Sequence, residues 1–87
     1  MTAHTFRVAG LLFVAATGSG DPTRASIPFH IAANGANPAG VECAIVFAGD
    51  AAELIKPEVA ANVRGVGIPP LRDLMEKCLA QGVRYYV

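Results

Sequence analysis

Residues 7–15 read Arg7-Val8-Ala9-Gly10-Leu11-Leu12-Phe13-Val14-Ala15, a nearly continuous hydrophobic run closed by the turn residues Gly18-Ser19-Gly20-Asp21-Pro22. A strand with one wet face alternates apolar and polar side chains, whereas one covered on both faces is apolar throughout. The run therefore predicts a doubly buried strand. Gly10 weakens it slightly, since glycine inside a strand often marks close backbone approach. Residues 41–48 (VECAIVFA) repeat the pattern and end at Gly49-Asp50, and residues 83–87 (VRYYV) begin a third strand.

Helices fill the intervals. Asp21 can accept a hydrogen bond from an orphan amide and Pro22 tolerates the first helical position, so a helix starts there and ends near residues 35–38. Pro28 inside it must either kink the helix or delay its start. Residues 51–56 form a short helix interrupted by Pro57, and residues 58–63 offer another turn. Residues 64–70, with two glycines and two prolines, make a loop. Residues 70–81 are the clearest helix. Leu71, Leu74, Met75 and Cys78 share one face, Arg72, Asp73, Glu76 and Lys77 the other, and Gly82 closes it. Strands alternating with helices imply βαβ units, hence a mainly parallel sheet with helices on both faces in an α/β fold. The sequence stops on an apolar strand with no helix behind it. The expectation is a domain shortened at its C-terminus or completed by partner subunits.

Eighty-seven residues fit a single domain, residues 1–87. A chain this short hides only about 60% of its extended surface on folding, yet 53% of its residues are hydrophobic. Mean hydropathy is +0.42. That richness suggests two buried sheet faces or a subunit interface. Few aromatic residues and no Trp imply a core of Val, Ile, Leu and Ala. Seven basic and seven acidic residues cancel, leaving no basic stripe for nucleic acid and little repulsion against self-association. No segment approaches the roughly 20 apolar residues of a membrane span. The two cysteines form neither a disulfide framework nor a zinc pattern. The cytoplasm is the expected compartment.

Ligands of open α/β sheets sit beyond the carboxyl ends of the strands. Thr17, Gly18, Ser19, Gly20 and Asp21 lie there, before a helix N-terminus whose free amides and dipole attract anions. The competing reading is a plain glycine-rich turn with an Asp cap. No Walker lysine and no three-glycine dinucleotide pattern follow. Asp50 occupies the equivalent place after the second strand, as a ligand-facing carboxylate or as an N-cap. His30 has no companion at metal spacing and is expected in the core or an interface; His4 falls in a loose terminus. Cys43 in a buried strand and Cys78 on an inward helix face are expected to be structural. No catalytic set can be assembled, and neither a metal nor a cofactor is implied.

The order Ala16-Thr17-Gly18-Ser19-Gly20-Asp21-Pro22-Thr23-Arg24-Ala25, then Pro28-Phe29-His30-Ile31-Ala32, Gly40-Val41-Glu42, Gly49-Asp50-Ala51, Leu54-Ile55-Lys56-Pro57-Glu58, Gly65-Val66-Gly67-Ile68-Pro69-Pro70-Leu71 and Gly82-Val83 resembles the DsrE/DsrF-like family of small α/β proteins. The resemblance runs from about Arg7 to Val87. It implies a three-layer α/β/α fold, homo-oligomers (trimers or hexamers), and for some members intracellular sulfur relay with a sulfur donor or acceptor protein. In those members a persulfide-bearing cysteine follows the strand that corresponds to residues 83–87. Neither Cys43 nor Cys78 matches that position. The resemblance therefore implies a sulfurtransferase-type domain without its own sulfur carrier in this chain. The alternatives are a non-catalytic anion or small-molecule binding module and a structural oligomer subunit.

Overall fold

A computed structural model describes residues 10–87 of the chain. Its elements are β1 (Gly10–Ala15), α1 (Pro22–Ile31), a π-helical turn (Ala32–Ala36), β2 (Glu42–Phe47), a 3-10 helix (Gly49–Ile55), α2 (Pro57–Ala60), α3 (Leu71–Ala80) and β3 (Arg84–Tyr86). The expected start of the first strand at residues 7–9 and the expected loose terminus around His4 lie outside the described residues. The three strands are all parallel in the order β1-β2-β3, with Phe13 beside Ile45 and Ile45 beside Tyr85.

Each crossover steps one strand in the same direction. Right-handed connections that advance the same way deliver their helices to the same side of a sheet. Burial follows that rule. On the odd-numbered face, Ala15, Cys43, Ile45 and Phe47 are buried beneath Ala25 and Phe29 of α1 and Leu71, Leu74 and Cys78 of α3. On the even-numbered face, Leu12 and Val14 are each 62% exposed and Tyr86 is 49% exposed. The expectation of a first strand buried on both faces is thus corrected: among the described residues, helices cover one face only. The α/β class with a parallel sheet stands.

The buried core is largely Ala, Val, Ile and Leu, as expected. Its centre is aromatic: Phe29 and Phe47 pack with ring centroids 5.5 Å apart, and Tyr85 sits edge-on to Phe47 at 5.2 Å. The Tyr85 hydroxyl donates to the Met75 carbonyl at 3.0 Å, which satisfies its polar end inside the fold. Ile27, Ile31, Ile55, Val66 and Leu79 lie outside this core and are exposed.

Pro28 stays inside α1, whose start at Pro22 is fixed by the Asp21 carboxylate accepting from the Arg24 amide at 3.1 Å. The helix continues into the π turn, where the Asn37 amide reaches back five residues to the Ala32 carbonyl at 3.0 Å. The clearest sequence helix becomes α3, with Leu71, Leu74 and Cys78 buried on one face. Gly82 follows with φ +83°, a left-handed turn that glycine adopts without a Cβ penalty. No helix among the described residues is long and apolar enough to cross a membrane.

Candidate functional site

The carboxyl ends of β1 and β2 open into an exposed cavity of about 430 Å³. The six residues singled out from the sequence, Thr17, Gly18, Ser19, Gly20, Asp21 and Asp50, all line it, together with Ala16 and Glu53. Parallel pairing explains the convergence: Ala15 and Phe47 end their strands side by side, so the two following loops leave the sheet together.

Glu53 organises the cavity. Its Oε1 accepts from the Ser19 amide at 2.6 Å and from the Ser19 hydroxyl at 2.5 Å. These two bonds, foremost the one from the hydroxyl, hold the Glu53 carboxyl below the usual carboxylate range. Gly18 sits directly beneath. A Cβ placed there would stand 2.6 Å from the Asp50 carbonyl oxygen and 2.7 Å from Glu53 Oε1. Glycine at 18 is therefore demanded by the close approach of the two loops, whereas Gly20 faces open space.

This chemistry differs from an anion cradle. The loop amide at Ser19 is bonded to Glu53, and the helix amide at Arg24 is bonded to Asp21. Three carboxylates, those of Asp21, Asp50 and Glu53, line the cavity, and no basic side chain does. A phosphate or carboxylate ligand would have to displace an internal carboxylate and face two others. Asp50 does not cap its helix: the helix begins at Gly49, its N-cap is Ala48, and no side-chain cap bond forms. The N-cap reading of Asp50 is corrected accordingly. Among the described residues, no group of three His, Cys, Asp or Glu side chains could hold a metal ion.

The remaining candidates lie elsewhere. Cys43 and Cys78 are free and buried. Cys43 Sγ donates to the Val41 carbonyl at 3.4 Å and Cys78 Sγ to the Phe29 carbonyl at 3.6 Å. Burial pushes both thiols up, which disfavours the nucleophilic thiolate. His30 is half-buried beside α3 rather than in the core. Its Nδ1 lies 3.1 Å from Asn34 Nδ2, and Asn34 Oδ1 accepts from Lys77 Nζ at 2.5 Å. Gln81 donates through Nε2 to the Ala33 carbonyl at 3.0 Å in the same seam. These bonds stitch the π turn to α3.

Glu53 escapes a reading of the sequence because its partner lies 34 residues away. The available signal was its place one helical turn after the Gly49-Asp50 pair that closes the second strand, which points it back at the strand ends. No family model matches the chain, and neither a curated protein nor a solved structure does.

Proposed function

We propose that the chain is a structural α/β subunit of a homo-oligomer, in which the sheet is completed by contacts that one chain does not supply. The observation that supports this reading is an open sheet. Apolar Leu12, Val14 and Tyr86 stand exposed on the face without helices, and only β2 flanks β1 among the described residues. A near-neutral chain offers little resistance to such association. In this proposal the second helical layer of a three-layer α/β/α arrangement comes from outside residues 10–87. Sedimentation velocity across a wide concentration range tests it: assemblies larger than one chain are expected, and a strictly monomeric profile at every concentration would end it.

The DsrE/DsrF-like resemblance supports a second reading, descent from cytoplasmic sulfur-relay proteins. Under it, neither Cys43 nor Cys78 carries sulfur, because both thiols are buried and their pKa values are raised. After thiosulfate or persulfide treatment of the folded chain, mass spectrometry should find no added sulfur on either residue. An adduct on Cys78 would reverse that assignment.

A further inference from the structure

The proposal deepens the homo-oligomer reading and rests on it: we infer that two copies of this chain join through the outer edge of β1, antiparallel, with α1 packing on α1 beside it.

The two edges of the sheet are unlike. β3 is three residues long and carries Arg84, two devices by which proteins discourage edge pairing. Among the described residues β1 is six long, Gly-Leu-Leu-Phe-Val-Ala, without a charge or a proline. Such an edge, left open, is a template for another strand. The Ala48 amide donates to the Ala15 carbonyl at 2.8 Å, so that carbonyl points toward β2. Backbone alternation then turns the N–H and C=O groups of Leu12 and Val14 outward. An antiparallel pair about a two-fold axis at Phe13 sets Leu12 opposite Val14 of the second copy, twice. Residues facing each other lie on the same side of the sheet, as pairing requires.

The layer above the strand fits the same axis. A groove of about 220 Å³ runs between β1 and α1, lined by Val14, Ala16, Ile27 and Pro28 among others. Ile27 is 44% exposed and Ile31 45% exposed. Four residues apart, they form one stripe on α1. Because α1 runs back along β1 in the crossover, Ile31 lies about 6 Å nearer the amino end than Ile27. That brings it toward the level of the axis, against its own copy.

Area and charge favour this surface over the bare sheet face. The strip is about 20 Å long, and sheet plus helix give it a height of about 20 Å. With side-chain relief it approaches the roughly 600 Å² per partner at which specific interfaces begin. Among the described residues lining its groove, Arg24 alone is charged. The bare face instead carries Glu42 and Arg84, both exposed, so a layer that covers it must also supply partners for two charges, whereas the edge needs none.

The test combines mass and amide exchange on the full chain. Native mass spectrometry should give twice the 9.0 kDa chain mass. The Leu12 and Val14 amides should exchange slowly at high concentration and quickly on dilution. Ile31→Lys, a change on an exposed helix surface, should shift the dilution midpoint by at least about tenfold toward monomer. Val14→Pro, which removes an outward N–H and no bond to β2, should do the same. A monomer at all concentrations overturns both this inference and the oligomer reading. An oligomer with rapidly exchanging Leu12 and Val14 amides, unchanged by Ile31→Lys, overturns this inference alone.

Discussion

The two faces of one three-stranded sheet behave as different materials, although both are built from apolar residues. On the odd face, Phe13, Ile45 and Tyr85 are neighbours across the strands, and helices close over them. One residue along each chain, Leu12 and Val14 stand in the open. Along β1 side-chain chemistry does not separate the two faces, and on the neighbouring strands only Glu42 and Arg84 mark the open one; connection geometry decides which face the helices cover. Both crossovers advance in the same direction, so every helix they carry arrives on the same side. A hydrophobic face can thus stand without a helix of its own chain over it among the described residues, and that exposure is the observation behind the proposed subunit.

Substitutions on either side of the sheet sharpen the contrast. Phe29 is fully buried against Phe47 and Tyr85, and Phe29→Ala should lower unfolding free energy by about 3–5 kcal/mol in urea titration. Leu12→Ala, on the bare face, should change monomer stability by less than about 0.5 kcal/mol. Equal losses at the two positions would erase the distinction between the faces.

Gly18→Ala probes the joint between the β1 and β2 loops. The new Cβ meets the Asp50 carbonyl backbone, which cannot swing aside as a side chain would. The expected loss is about 1–3 kcal/mol, seen as a lower Tm. Gly20→Ala, with open space around it, serves as the comparison and should leave packing unaffected. Tyr85→Phe keeps the aromatic cluster but removes the bond to the Met75 carbonyl, costing about 1 kcal/mol.

Acidification reads the smallest effect. The folded-state pKa of Glu53 is depressed, so its contribution is complete above the pKa of the carboxyl in the unfolded chain. It fades as pH falls through the lower folded value. Glu53→Gln should therefore flatten the acid limb of the stability profile relative to the parent chain. Identical limbs would mean that the Ser19 bonds do not hold the carboxylate in solution.

Much of this architecture was legible in the residues. The runs at 7–15 and 41–48, the Asp21-Pro22 start and the amphipathic stretch ending at Gly82 place β1, β2, α1 and α3 nearly where they stand. The convergence of Thr17, Gly18, Ser19, Gly20, Asp21 and Asp50 follows from parallel strands alone. What stayed hidden is what depends on three dimensions. Leu12, Val14, Ala44 and Val46 are as apolar as their odd-numbered neighbours, so no two-residue period revealed which face was bare. The charges Glu42 and Arg84, both at even positions, were the one hint in the sequence, and the strand order decides the matter. The carboxylate of Glu53 in the loop, and the aromatic centre built from Phe29, Phe47 and Tyr85, join residues distant in sequence and leave no local pattern.

The most direct test is side-chain accessibility to a soluble paramagnetic probe, measured by NMR on the Ile31→Lys chain at low concentration. The account predicts strong broadening of the Leu12 and Val14 methyl signals and little of those from Ile45 and Leu74. Equal protection of all four, or exposure of Ile45 with Leu12 shielded, would contradict a sheet covered by its own helices on one side alone.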